Sequence, residues 1–176
     1  GVPIVARGSG SSLAGSAVSG GLVVDTTKHL RDIVAIDAEA RTATVQPGVV
    51  LDDLNRAAAA HGLTFGPDPA SSNRATLGGM LGTNATGTHS IQYGAVVDWV
   101  ESAAVLLADG TPTAFSALTP DQWAAKVGAT GTEGEILKRV DALLKVHEHA
   151  IRADTPRWWR RAGGYRLERM IEAPEV

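Results

Sequence analysis

Two stretches of the chain concentrate residues able to hold an anion with the backbone. The first is residues 7–21, RGSGSSLAGSAVSGG. Gly8, Gly10 and Gly15 leave the backbone free to adopt positive φ and to approach a ligand with no Cβ in the way. Successive peptide N–H groups in such a loop converge into a nest that holds phosphate. Ser9, Ser11, Ser12 and Ser16 add hydroxyl donors, and Arg7 adds a permanent positive charge. The same composition also suits a flexible Gly/Ser surface loop, and these residues alone leave both readings open. The second stretch is GPDPASSNRATLGG, residues 66–79, continued by NATGTHSIQYG, residues 84–94. Pro67 and Pro69 bracket Asp68 and stiffen the loop, while Ser71, Ser72 and Thr76 supply donors. The pair Gly78 and Gly79 allows a phosphate or a planar group to lie against the backbone.

Neither common nucleotide pattern is satisfied. The dinucleotide pattern G-x-G-x-x-G needs glycine where Leu13 stands, and it should open a helix, whereas residues 21–25, GLVVD, read as a strand. The P-loop spacing fits from Gly10 to Gly15, but Ser16 and Ala17 replace the lysine and hydroxyl residue that reach the terminal phosphate and the metal. An unrelated phosphate-binding, NTP-hydrolysing domain is therefore the weakest alternative.

The elements that must position these loops follow from patterning. Residues 3–6 and 22–25 read as strands on either side of the first loop, and 32–36 and 42–46 as two more. Pro47-Gly48 ends the fourth strand, and Leu51, Leu54 and Ala58 recur at helical spacing up to His61-Gly62. Residues 77–81 predict a short helix. Residues 96–107 predict a long strand that turns at Asp109-Gly110 into a partner at 111–115. Beyond residue 116 the pattern becomes helical. Thr119 caps a helix with Pro120 at its first position, and Thr132-Glu-Gly-Glu135 reads as a capping box. A long helix follows with Ile136, Leu137, Val140, Leu143, Leu144 and Ile151 on one face. A last short helix is expected over 166–171. The expected class is α+β, a mixed and largely antiparallel sheet with flanking helices over residues 1–115, then a helical insertion over 116–176.

Composition excludes several functions. A net charge of -3 over 176 residues, with both signs interspersed, carries no nucleic-acid footprint, and the basic aromatic run RWWRR at 157–161 is a single cluster in an acidic chain. There is no cysteine, so disulfides, thiolate metal sites and iron-sulfur ligation are absent from this sequence. No apolar run approaches the roughly 20 residues of a membrane span. Asn84-Ala-Thr86 matches a glycosylation acceptor but has no signal peptide to accompany it, and is read as chance. The chain starts in a strand without methionine, as a segment of something longer would.

The Gly/Ser loop between two strands, then Pro-Asp-Pro-Ala-Ser, a Gly-Gly pair, Asn84 with Gly87 three residues on, and Tyr93-Gly94 resemble the vanillyl-alcohol oxidase and p-cresol methylhydroxylase family of FAD flavoproteins. The branch is the one similar to the glycolate oxidase D-subunit and D-lactate dehydrogenase. The resemblance implies a partial FAD-binding domain of the PCMH type. It implies that Arg7, Gly8, Ser9, Gly10, Ser11, Ser12, Gly15 and Ser16 hold the FAD pyrophosphate and that Ser71, Ser72, Thr76, Gly78 and Gly79 line the ribityl and phosphate path. Asn84 and Gly87 would lie near the flavin end. Gly48 would lie beside the flavin, although an ordinary strand-to-helix turn explains that glycine equally well. His89 and Tyr93 are candidates for proximity to substrate or flavin. So is Arg161, because the 157–165 segment resembles the helical insertion of large flavin and iron-sulfur oxidoreductases.

Relatives with covalent flavin attach it to a histidine in the first loop. None is present here, so the FAD is expected to be non-covalent. Gly131-Thr-Glu-Gly134 matches the family's Gly-Ser-Glu-Gly motif only superficially, since a capping box rather than an apolar strand accompanies it. The resemblance further implies oxidation of a small D-2-hydroxy acid to the 2-oxo acid in a longer parent, with an iron-sulfur domain or quinone pool taking the electrons. The parent is expected in the cytoplasm, or peripheral at the membrane. No catalytic side chain is assigned, because the family's base comes from a capping domain. An FAD-housing electron-transfer module without substrate turnover is the alternative.

Overall fold

The computed structural model describes residues 1–158 and 165–172. Its chain forms two compact units, one over residues 1–99 and one beginning at Val100.

In the first unit, β1 (Ile4–Arg7) and β2 (Leu22–Asp25) pair in parallel, Ile4 opposite Leu22 and Arg7 opposite Asp25. A parallel pair needs a crossover, which is usually a helix. Here residues 8–21, with no helix or strand of their own, make the crossing. The Gly/Ser loop is therefore held at both ends by adjacent strands. β3 (Ile33–Asp37) and β4 (Thr42–Val45) form an antiparallel hairpin with an irregularity between Ile33 and Ala35. Its turn is tied by Asp37 Oδ1, which accepts from the Glu39 and Ala40 N–H groups.

The packed centre of this unit lies around α1 (Leu51–Ala59), which buries Leu51, Leu54 and Ala58. Val49, Ala75, Met80, Ala95 and Val96 are further buried apolar residues of this unit. A fully buried aliphatic side chain of this size contributes about 1.5–3 kcal/mol. An isolated antiparallel bridge joins Val50 to Thr76, flanked by bonds from Leu51 N to Ala75 O and from Leu77 N to Val49 O. That bridge delivers the chain into α2 (Leu77–Thr83), closed by Asn84 in the left-handed region at φ 46°. A short α3 (Ser90–Tyr93) follows, then a single 3-10 turn at Val96–Asp98.

That turn corrects the long strand expected from residue 96. The Asp98 carboxylate accepts the Ala95 N–H and Trp99 Nε1 donates to the Tyr93 carbonyl, so local side-chain bonds outcompete extended backbone there. α3 was not anticipated either.

In the second unit, β5 (Ser102–Leu106) and β6 (Pro112–Ser116) form the expected hairpin, with Gly110 at φ 83° in its turn. α4 (Pro120–Val127) is capped as predicted, Gln122 N donating to Thr119 Oγ1 and Gln122 Oε1 accepting from Thr119 N. α5 (Thr132–Asp154) begins after Gly131 rather than on a Thr132 capping box. The Thr132 hydroxyl instead donates to Asp109, and Glu133 is engaged by Thr113 and Lys126. These contacts sew the helix to the hairpin. Of its six predicted apolar positions, Leu137 and Leu144 are buried, while Ile136 and Leu143 are exposed, so the buried stripe is narrower than the apolar one. α6 (Leu167–Glu172) is the last described element.

Among the described residues, the strands form three two-stranded ladders, one parallel and two antiparallel, in an α+β arrangement. None of their helices is long and apolar enough to cross a membrane.

Candidate functional site

Residues 8–12 emerge from β1 with their donors unspent. Among the described residues, no backbone or side-chain group accepts from the peptide N–H of Gly8, Ser9, Gly10, Ser11 or Ser12. The loop's internal bonds are Ser9 Oγ to Ser11 Oγ at 3.1 Å, Ser12 Oγ to Ser16 Oγ at 3.0 Å, and the N–H groups of Gly15, Val18 and Gly21 donating to Ser12 O, Gly15 O and Ser19 Oγ. The Arg7 guanidinium stays half-exposed beside Asp25, 3.4 Å from its carboxylate. Asp25 is held below the usual carboxylate range first by the Thr27 hydroxyl and N–H, with Arg7 contributing less.

The base of this loop is closely packed. Thr26 donates both its N–H and its hydroxyl to Arg7 O. Gly48 is buried against the Thr26 and Leu30 carbonyls, where a Cβ would collide, and Gly48 N donates to Leu30 O at 2.6 Å. Gly78 presses on Pro47 and donates its N–H to the Pro47 carbonyl. Backbone packing thus accounts for both glycines. Gly8 lies directly against Thr76, and a Cβ at Gly8 would overlap the Thr76 hydroxyl.

Thr76 carries the signal that the sequence could not display. It is 2% exposed, and its Oγ1 is the buried side-chain polar atom without a hydrogen-bond partner among the described residues. Burying a hydroxyl unsatisfied costs about 1–3 kcal/mol. The Thr76 hydroxyl lies against Gly8, where no Cβ fits, and Gly8 opens a run of five peptide N–H groups with no acceptor among the described residues. An oxyanion is the complement of that donor set, so the residues present fit the pyrophosphate of a dinucleotide. Ser71 and Ser72 lie on the preceding turn, where Ala75 N donates to Ser71 O and Asp52 N donates to Ser72 O. Gly79 sits over the Thr76 hydroxyl.

The remaining candidates collect beyond the other end of α2. Asn84 is buried, and its Oδ1 accepts from Val97 N at 3.0 Å. Gly87 is pressed onto the Asp68 carbonyl with no space for a Cβ, and its N–H donates to Ser90 Oγ at 2.8 Å. Asp68 Oδ1 accepts the His89 N–H at 2.9 Å and Asp68 Oδ2 lies 2.5 Å from His89 Nδ1. Tyr93 stands 6.4 Å from the His89 ring and 6.1 Å from Trp99, which in turn meets Phe65 at 5.6 Å. Asp68 was singled out in the sequence only as a residue between prolines, yet it organises this corner. Burial opposes its charge, but the His89 N–H, ring bond and field together outweigh that and hold its pKa below the usual value. An ionised carboxylate only accepts, so this contact is made by a proton on Nδ1. Arg161 lies outside the described residues.

Comparison with known proteins extends these findings. The chain is 33% identical over 166 residues to D-2-hydroxyglutarate dehydrogenase of Pseudomonas putida, which is 94% of this chain and 16% of that protein. It is 45% identical over 111 residues to glycolate oxidase subunit GlcD of Bacillus subtilis, covering 62% of this chain and 23% of that one. The chain thus spans between 16% and 23% of the length of these two relatives. Among solved structures, 6-hydroxy-D-nicotine oxidase from Arthrobacter nicotinovorans superimposes with a TM-score of 0.56 at 26% identity, over 65% of this chain and 25% of that one. The family described as FAD binding domain matches residues 1–116, which include both glycine-rich loops, so the chain belongs to that family and FAD is its cofactor.

Proposed function

We propose that residues 8–12 and Thr76 hold the FAD pyrophosphate non-covalently, in a full-length protein that oxidises a small D-2-hydroxy acid to the 2-oxo acid. The observation that supports this reading most directly is the unspent donor row of residues 8–12 beside the unpartnered Thr76 hydroxyl. Arg7, Gly15 and Ser16 complete the cradle, and Gly48, Ser71, Ser72, Gly78 and Gly79 border the path toward Asn84 and Gly87. When bound, FAD supplies hydride acceptance from the carbon that bears the hydroxyl. This chain's residues orient it, neutralise its phosphate charge and keep water from its buried side. The substrate class rests on the names of the two relatives, D-2-hydroxyglutarate dehydrogenase and glycolate oxidase subunit GlcD. Electrons would pass to an iron-sulfur domain or a quinone, in the cytoplasm or at the membrane periphery.

The test is an FAD titration of the chain, followed by flavin fluorescence and by the visible band that survives desalting. Wild type is expected to bind one FAD, and Gly8→Val to bind about 100-fold more weakly because its side chain collides with Thr76 and displaces the loop. Circular dichroism of both proteins establishes that the variant is folded. A folded Gly8→Val protein with wild-type affinity would remove this loop from the cofactor site.

A further inference from the structure

The parallel register sets Arg7 opposite Asp25 at the ends of β1 and β2, and the two side chains meet there, Arg7 Nη1 donating to Asp25 Oδ2 at 3.4 Å. The main chain of Arg7 is pinned as well, because its carbonyl accepts both the N–H and the hydroxyl of Thr26. Asp25 is anchored through its other oxygen: Oδ1 accepts the Thr27 N–H at 2.8 Å and the Thr27 hydroxyl at 2.6 Å. The remaining edge of the guanidinium lies against Gly10, where a Cβ would come within 2.9 Å of Nε and 3.3 Å of Nη2. Gly10 has φ 72° and is the middle one of residues 8–12, whose peptide N–H groups have no acceptor among the described residues. Nε and Nη2 of Arg7 likewise have no acceptor among the described residues.

One arginine is thus held at a corner and open along an edge. Nη1 is spent on a carboxylate, while Nε–H and Nη2–H, the fork that matches two oxygens of one phosphate, stay available beside the peptide donors. The carboxylate is itself a cost to such a site. Asp25 is 36% exposed and ionised at neutral pH, its pKa held down first by the Thr27 bonds. By field alone its charge repels an anion at the loop. A free arginine side chain samples many rotamers, and holding one of them beforehand removes an entropy loss that binding would otherwise carry. Orientation is therefore what Asp25 contributes, against the repulsion it brings.

We propose that Asp25 is the positioning residue of the cofactor cradle: it aims the Nε–Nη2 edge of Arg7 along Gly10, where that edge takes one phosphate of the FAD pyrophosphate. This deepens the function proposed above and rests on it. Arg7 supplies the charge and the fork, residues 8–12 supply the peptide donors, and Asp25 acts only through Arg7. Positioning predicts a sign that neither field effects nor simple loop support would give. Asp25→Asn keeps an oxygen for the Thr27 bonds and loses the ion pair, so it removes a negative charge beside an anion site and yet weakens binding of the anion. Without the guanidinium there is nothing to aim, and the same substitution then only relieves repulsion.

A double-mutant cycle tests this, on the full-length protein freed of cofactor and titrated with FAD by flavin fluorescence. Arg7→Gln is expected to weaken FAD binding by about tenfold to thirtyfold, and Asp25→Asn by about fivefold. In the Arg7→Gln background, Asp25→Asn is expected to leave affinity unchanged or to raise it about twofold. Arg7→Lys, which keeps the charge and lacks the fork, is expected to recover only part of the loss. Circular dichroism establishes that each variant is folded. Equal loss from Asp25→Asn in both backgrounds overturns the proposal, since Asp25 would then support the loop and not the arginine. Tighter binding by Asp25→Asn alone overturns it as well, because repulsion would then outweigh aim, and so does wild-type affinity in Arg7→Gln. In each of these cases the proposed function stands. A wild-type protein that binds no FAD overturns both.

Discussion

The two glycine-rich loops of the first unit use their polar groups in opposite ways. Residues 8–12 leave every peptide donor without an acceptor among the described residues, whereas residues 84–99 spend theirs: Asn84 on Val97, Ser90 on Gly87, Asp98 on Ala95, and Trp99 on the Tyr93 carbonyl. Residues 8–12 are exposed or half-buried, so their N–H groups stand open to solvent on a packed base, where an anion can replace water. The saturated loop is the reverse case, a corner whose side chains are set before any ligand arrives. Both loops rest on a glycine contact: Gly8 lies against the Thr76 side chain, and Gly87 against the Asp68 carbonyl.

Substitutions can break that contrast. Gly87→Ala forces a Cβ onto the Asp68 carbonyl and should lower stability by about 1–3 kcal/mol, read in urea denaturation of the cofactor-free chain. A neutral result would mean that the corner is not preset. Thr76→Val should have opposite signs in the two states. Removing an unsatisfied hydroxyl raises the stability of the cofactor-free chain by about 1 kcal/mol, while FAD affinity falls by about fivefold to tenfold. Loss in both states would show that Thr76 serves the protein rather than the ligand. The smallest effect is in acid. Because folding lowers the Asp68 pKa, its stabilisation is complete above the unfolded carboxylate value of about 3.9 and is lost as pH falls through the folded value. Thermal melts at successively lower pH should therefore show a shallower decline for Asp68→Asn than for wild type.

Much of this was legible in the residues. Glycine and proline punctuation marked both loops, and β2 was located to the residue, because short β-branched runs bounded by turn residues have few other uses. The 3-10 turn and α3 were not legible, since apolar Val96 and Val97 read as strand unless the Asp98 and Trp99 bonds are known. The Thr132 capping box failed for a related reason. Its threonine had a tertiary partner in Asp109, which local spacing cannot reveal. The Asp68 bond to His89 joins residues far apart in sequence, and the lack of a hydrogen-bond partner for the buried Thr76 Oγ1 among the described residues is a property of three dimensions alone.

The crossover between β1 and β2 has a consequence for the life of the protein before it meets its cofactor. A parallel pair joined by unstructured chain gains nothing from a helix that folds on its own, and its closure is opposed by loop entropy alone. The first ladder should therefore be the part of this unit whose amides exchange soonest and whose loop is nicked first by a protease. Bound cofactor suppresses such opening in proportion to its occupancy. Cellular turnover of the apoprotein would then begin at residues 8–21, making cofactor supply a determinant of how long each molecule survives.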